Sequence, residues 1–165
     1  MTRKGTDSNG TDSGKVLIYG IGNPGRQDDA LGILLVDAIG QWISDNGLQH
    51  IFTDQNYQLN IEDADHIAGY DLVIFADASI IEISDYLLEK VEPDLRADFS
   101  MHSVEPSFVV GLCQQMFGKT PDCYQLHIKG YEFEFMGEPS DNARANLDSA
   151  LHALKNFLLS HSPVY

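Results

Sequence analysis

The sequence predicts an α/β fold, a three-layer sandwich in which helices flank a mostly parallel, twisted sheet of about five strands. Two observations support this prediction. Short apolar, β-branched runs alternate along the chain with segments whose apolar residues recur at helical spacing. One run, residues 71–76, is almost continuously apolar, as a strand buried on both faces of a parallel sheet requires. The predicted order of elements is β-α-β-α-β-β-α-β-α.

The first unit, residues 15–42, predicts a strand, a turn and a helix. The apolar run 16–19 has the length of a buried strand, and the glycine- and proline-rich run G-I-G-N-P-G then indicates a tight turn. From Asp28 onward, apolar residues at helical spacing predict a helix. Gly32 lies inside that helix and costs about 1 kcal/mol relative to alanine. A close approach of the helix to the sheet would explain this glycine.

The remaining elements follow from the same patterns. Ser140 is expected to cap the last helix, whose apolar stripe continues through Leu158. We predict further strands at 51–54, 71–76, 86–91 and 124–135, and further helices at 61–68 and 105–117. Residues 15–165 are expected to form one domain, and residues 1–14, which carry almost nothing to bury, are expected to be a disordered tail.

The charge balance excludes several classes of partner. The 165 residues include 25 acidic and 10 basic side chains, for a net charge of −15. Nucleic acids and anionic membranes are bound by clustered lysine and arginine, so neither is expected as a partner. No apolar run approaches the roughly 20 residues of a membrane span, and no signal peptide precedes Lys15, so we expect a cytoplasmic protein. We also expect a monomer, and two cysteines form no disulfide framework.

The turn after the first strand has three possible interpretations. Its G-x-G-x-x-G spacing matches a dinucleotide-binding fingerprint, with Asp54 as the ribose-binding acid. Against this, Asp28 and Asp29 place negative charge where a pyrophosphate would bind, and Pro24 removes one backbone N–H. The two acids would otherwise cap the helix, or one of them would point into a site as a ligand or acid–base group.

A candidate site emerges from the predicted topology. Asp29 follows the first strand, Asp77 ends the central strand, and His102 precedes a later helix. The carboxyl ends of parallel strands meet at one edge of the sheet, where open α/β sheets bind ligands. Two carboxylates and an imidazole form a ligand set that suits nickel, zinc or a similar ion.

Four segments resemble, in the same order, the hydrogenase maturation endopeptidases. They are G-I-G-N-P-G-R-Q-D-D-A-L-G from Gly20, Y-Q-L-x-x-E from Tyr57, V-I-F-A-D-A-S from Val73 and M-H-S-V-E-P-S from Met101. The resemblance covers nearly the whole chain after Gly14. It implies an endopeptidase that trims the C-terminal extension from the nickel-containing large subunit of a NiFe hydrogenase, so the partner would be the precursor of that subunit.

The resemblance also implies roles for particular residues. Asp29, Asp77 and His102 match the family's ligands to nickel, which is implied to arrive with the substrate, with zinc or cadmium as surrogates. Asp54 matches an aspartate needed for cleavage, and Asp29 and Asp77 would be catalytic if they act as acid and base rather than as ligands only. Two positions depart from the family. Asp29 stands where some members have glutamate, and Asp54 lacks the D-G-G-T context of many members.

Two alternatives remain open. Gly22-Asn23-Pro24-Gly25 also resembles the opening of peptidyl-tRNA hydrolases, but the T-R-H-N segment that supplies their catalytic histidine is absent and the net charge is unsuited to tRNA. The other alternative is a non-enzymatic dinucleotide-binding module.

Overall fold

The computed structural model describes residues 14–96 and 104–161. Its five strands form one sheet in the order β2-β1-β3-β5-β4, in which β4 alone runs antiparallel to its neighbour. This arrangement confirms the predicted fold class and order of elements. The strands are β1 (Val16–Ile21), β2 (Ile51–Asn56), β3 (Leu72–Ser79), β4 (Tyr86–Lys90) and β5 (Asp122–Lys129), and the helices are α1 (Leu31–Asp45), α2 (Asp63–Ile67), α3 (Pro106–Phe117) and α4 (Asp141–His161).

Helices cover both faces of the sheet. Because successive side chains of a strand point to opposite faces, each central strand contributes to two apolar layers. In β3, Ile74 and Ala76 pack with the buried residues of α1 and α4, whereas Val73 and Phe75 pack with those of α2 and α3. The molecule therefore has the three layers that the sequence predicted.

Helix α1 lies directly against the sheet at Gly32. A Cβ atom at this position would collide with the backbone carbonyl oxygens of Ile21 in β1 and Ala76 in β3. The close approach expected from the sequence is confirmed.

Several strand bounds differ from the predictions. β1 and β2 each continue two residues further than expected, to Ile21 and Asn56. β3 continues through Ser79, so Asp77 lies within the strand, opposite His127 of β5, rather than beyond its end. β5 ends at Lys129, whereas the alternation of Leu126, Ile128 and Gly130 with polar residues had predicted a strand as far as residue 135. The following residues leave the sheet because their backbone groups bond to the turn after β1, as described below.

The strand order creates a crevice between β1 and β3. The chain leaves β1 through α1 to reach β2 on one side, and β3 lies on the other side of β1. At such a switch point the connections diverge to opposite faces and leave room for a ligand at the carboxyl ends of the strands. In the part of the chain that the structure describes, every helix is too short or too polar to cross a membrane.

Candidate active site

A cavity of about 420 Å³ lies at this crevice. Its walls come from the turn after β1, the end of β3, the segment after β2, the start of α3 and one residue of β5. The charged and amide side chains that line it are Arg26, Asp29, Gln58, Asp77, Glu105 and Gln125. The cavity is therefore acidic, with three carboxylates and one guanidinium.

Asp29 is brought to the cavity by a short 3-10 helix, Gln27–Ala30, which connects the turn to α1. The backbone N–H of Asn23 donates to the Asp29 carboxylate at 3.2 Å. Gly22 has a φ of 146°, and a Cβ there would collide with the carbonyl oxygen of Asp29. The glycine thus lets the backbone pass close enough for the turn to hold the carboxylate.

The pKa of the Asp77 carboxyl group is raised well above its ordinary value. Burial, the largest cause, and the negative charges of Asp29 and Glu105 together raise its pKa to about 7, against a hydrogen bond from the backbone of Ala78 that lowers it. A carboxyl group whose ionisation is opposed by its neighbours favours either a retained proton or a bound cation.

Arg26 is held by the loop that follows β5. Its Nε donates to the carbonyl oxygen of Phe133 at 2.6 Å, and its guanidinium lies 5.8 Å from the Phe133 ring centre and 5.6 Å from that of Phe135. This loop, residues 130–140, therefore forms part of the structure that supports the cavity.

Asp28 has a role that the sequence did not reveal. Its carboxylate is fully buried and accepts hydrogen bonds from the backbone N–H groups of Tyr131, Glu132 and Ser140 and from the Ser140 hydroxyl, at 2.7–3.0 Å. Burial alone would raise its pKa, but these hydrogen bonds outweigh burial and the net pKa is lowered. Asp28 is thus the anchor of the 130–140 loop rather than a helix cap.

In the sequence, the only signal for this buried role is that two acids, Asp28 and Asp29, stand next to each other. Ser140 was expected to cap α4, and its hydroxyl does accept the backbone N–H of Ala143 at 3.3 Å. Its bonds to Asp28 connect that cap to the turn that carries Asp29.

The structure brings together two of the predicted site residues, Asp29 and Asp77. Asp54 lies near the end of β2 and does not line this cavity; its carboxylate is 3.0 Å from Nε2 of His66. His102 lies outside the described residues, and the described chain resumes at Val104, which lines the cavity. Within residues 14–96 and 104–161, no three histidine, cysteine or acidic side chains lie together in an arrangement that could hold a metal ion.

Several solved structures share this fold. The NiFe hydrogenase maturation protease HycI from Thermococcus kodakarensis KOD1 is 20% identical, with a TM-score of 0.68 over 90% of this chain and 94% of that chain. The hydrogenase maturating endopeptidase HybD from Escherichia coli is 17% identical, with a TM-score of 0.70 over 88% and 93%. The NiFe hydrogenase maturation protease HybD from Thermococcus kodakarensis is 18% identical, with a TM-score of 0.66 over 87% and 98%.

These likenesses extend over nearly the full length of both chains and show the fold. No family model and no curated protein matches the sequence.

Proposed function

We propose that this protein is a hydrogenase maturation endopeptidase that removes the C-terminal extension from the large-subunit precursor of a NiFe hydrogenase. The observation that carries the proposal is the meeting of Asp29 and Asp77 in one acidic cavity at the crevice between β1 and β3. The motifs around these two residues resemble those of the maturation endopeptidases, and the solved maturation proteases have the same fold.

In this proposal nickel arrives with the precursor and is recognised by Asp29, Asp77 and His102. The donor set supports it, because nickel binds carboxylate oxygen and imidazole nitrogen. The electrostatics support it as well: burial first, and then repulsion by Asp29 and Glu105, raise the pKa of Asp77, and a bound cation would offset that repulsion. His102 precedes Val104 and Glu105, which line the cavity.

The same two carboxyl groups offer a route to hydrolysis. A carboxylate removes a proton from water as the water oxygen bonds to the scissile carbonyl carbon. A protonated carboxyl group then gives its proton to the amide nitrogen as the C–N bond breaks, so one water is consumed and two new chain ends form. A pKa of about 7 for Asp77 would keep it partly protonated near neutral pH, which favours the acid role for Asp77 and the base role for Asp29.

The acidity of the cavity argues against the other functions considered. A dinucleotide or a tRNA would bring phosphates toward Asp29, Asp77 and Glu105, with Arg26 as the basic side chain in the cavity. Phosphate binding sites instead gather lysine, arginine or free backbone N–H groups. We expect neither saturable NAD binding nor tRNA affinity at physiological salt.

The test is incubation with nickel-loaded and nickel-free large-subunit precursors, followed by intact-mass measurement. The wild type should shorten only the nickel-loaded precursor. His102→Ala should weaken capture of that precursor and stop its processing. Asp148→Asn, a change of an exposed acid on α4, should leave processing unchanged and serves as the matched control for Asp77→Asn.

Three results would contradict the proposal. Absence of any shortening by the wild type would overturn the endopeptidase assignment. Equal shortening of the nickel-free precursor would overturn nickel as the recognition mark and leave the two carboxyl groups as acid and base. Wild-type rates for His102→Ala on nickel-loaded precursor would remove His102 from the site.

A further inference from the structure

The carboxyl edge of the sheet carries an unusual concentration of exposed apolar side chains. Of the twelve large apolar residues that are exposed in the described part of the chain, seven lie in the segments that follow the carboxyl ends of β2, β3 and β5. We name these seven the collar: Tyr57, Ile61, Ile80, Ile81, Tyr131, Phe135 and Met136.

We propose that the collar is the docking surface for the folded body of the precursor protein, while the cavity takes the segment to be cleaved. This inference rests on the proposed function and adds a second binding site to it. Because parallel strands end at the same edge of a sheet, the segments that carry the collar lie at the same edge as the mouth of the cavity. Tyr57 itself lines the cavity, and Phe135 packs against Arg26, which also lines it.

The collar residues of the loop after β5 are held in place by hydrogen bonds of their backbone. In the loop after β5, the N–H of Met136 donates to the carbonyl of Gly25 at 2.9 Å, and the N–H of Glu134 donates to the Gln27 side chain at 2.8 Å. The Asp28 carboxylate accepts hydrogen bonds from the backbone N–H groups of Tyr131 and Glu132 in the same loop. Since the loop is already fixed, a partner that docks on it loses little conformational entropy.

Three collar residues are the most exposed large apolar side chains in the part of the chain that the structure describes. Met136 is 97% exposed and has a φ of 63°, a left-handed conformation that is uncommon for residues other than glycine. Phe135 is 72% exposed and Ile80 is 74% exposed. Apolar side chains clustered on an exposed, fixed surface are typical of protein interaction sites.

The charges of the collar define the kind of partner. The exposed charged side chains interleaved with it are acidic: Glu62, Glu82, Glu132 and Glu134. The basic groups next to it are used internally, because Lys129 donates to the carbonyls of Ile80 and Ile81 at 3.0 and 2.7 Å and Arg26 donates to that of Phe133. The collar therefore fits an apolar protein surface rimmed by lysine and arginine.

The size of the cavity favours a second contact surface. A volume of about 420 Å³ accepts a few residues of an extended peptide. Specific complexes between proteins bury about 800 Å² on each partner, which a cavity of this size does not provide. The collar supplies the additional area on the same edge.

The test compares two double variants, each of which replaces two exposed apolar side chains with polar ones. The collar variant is Ile80→Ser with Met136→Asn, since asparagine tolerates a left-handed backbone. The control variant is Met116→Ser with Leu159→Ser, two residues that are 59% and 58% exposed near the carboxyl ends of α3 and α4, far from the cavity. All four positions lie outside the cavity lining, and thermal unfolding verifies that each variant is folded.

The measurements are the Kd for the purified nickel-loaded precursor by biolayer interferometry, and KM and kcat for its processing. We expect the collar variant to raise Kd and KM at least tenfold with kcat unchanged, and the control variant to stay within twofold of wild type. A synthetic peptide of the C-terminal extension alone should bind the wild type and the collar variant equally.

The outcomes separate this inference from the proposed function. If wild type shortens the precursor and the collar variant does so with unchanged Kd and KM, the collar is not the docking surface and the endopeptidase assignment stands. If wild type binds the precursor through the collar without shortening it, the assignment falls and the docking surface stands. If wild type neither binds nor shortens the precursor, the endopeptidase assignment and the docking surface are both wrong. Concentration-dependent dimerisation that the collar variant abolishes would assign the collar to a second copy of this chain and overturn the inference.

Discussion

Ser140 donates both its backbone N–H and its hydroxyl to the buried carboxylate of Asp28, at 2.7 and 2.8 Å, across 112 positions of sequence. The neighbouring residue, Asp29, faces the cavity. Two adjacent acids thus serve different purposes: Asp28 joins the loop after β5 to the turn after β1, and Asp29 occupies the site that this turn supports.

Asp28→Asn should destabilise the protein by about 3 kcal/mol. The neutral amide keeps one acceptor oxygen and turns an N–H₂ group toward backbone donors, so buried donors lose their partner. Urea unfolding monitored by circular dichroism measures the loss. The exposed variant Asp148→Asn should stay within about 0.5 kcal/mol of wild type. A similarly small change for Asp28→Asn would show that the buried hydrogen bonds contribute little.

The same carboxylate should make the protein sensitive to acid. Its pKa in the folded protein is lowered from an unfolded value of about 3.9. The stabilisation is therefore complete above the unfolded pKa and is lost as the pH falls through the folded pKa. The unfolding free energy of wild type should fall more steeply below about pH 4 than that of Asp28→Asn. Parallel curves for the two proteins would contradict this assignment.

Asp77 should titrate near neutrality in the metal-free protein. Carbon-detected NMR of its carboxyl group should give a midpoint at about 7. In Asp29→Asn the midpoint should fall, because a negative neighbour is removed, yet stay above the ordinary range, because burial is the larger cause. The sign for stability is opposite to that of Asp28: Asp77 favours the folded state at low pH, and this contribution is lost as the pH rises through about 7. An ordinary midpoint in wild type would contradict the buried placement.

Two glycines of α1 should respond in opposite directions to alanine. Gly32→Ala should destabilise the protein by several kcal/mol, on the order of other overpacked core substitutions, because its Cβ meets backbone oxygens that cannot move aside. Gly40→Ala should stabilise it by roughly 0.5–1 kcal/mol, since nothing lies within 4 Å of the added Cβ. Thermal and urea unfolding of the pair measure both changes, and equal effects would show that α1 does not lie against β1 and β3 as described.

Metal binding provides an independent check of the proposed ligands. Calorimetric titration with nickel, zinc or cadmium should show one site in wild type, weakened at least tenfold in Asp77→Asn, Asp29→Asn and His102→Ala. Asp148→Asn should retain wild-type affinity. A crystal soaked with cadmium should place the ion on all three side chains; an ion bound elsewhere would remove the nickel hypothesis.

The sequence predicted those features that depend on short spacing or on a general rule of topology. Helix α1, with its close approach at Gly32, could be predicted because its periodicity is local. Asp29 and Asp77 could be placed in one site because parallel strands end at one edge. Asp28 could not be assigned, since its partners lie 103–112 positions away and are mainly backbone N–H groups, which carry no residue identity.

The misassigned end of β5 has a similar cause. Leu126, Ile128 and Gly130 alternate with Gln125, His127 and Lys129 as in a half-buried strand, and the prediction extended that strand to Phe135. The backbone groups of residues 131–135 bond to Asp28 and Gln27 instead of to a neighbouring strand, and their aromatic side chains contact Arg26 or lie exposed. The alternation holds as far as Lys129, where Leu126 and Ile128 are buried, but beyond it the backbone groups bond to distant residues.

The dependence of Asp28 on residues 131–140 also has a consequence during synthesis. When the ribosome has made the turn after β1, the groups that bind this carboxylate in the finished fold are still more than one hundred residues from being translated. A nascent chain, or a fragment that stops before Tyr131, carries an acid with water as its partner and a turn without support. The turn that carries Asp29 therefore lacks these hydrogen bonds until residues 131–140 have been made.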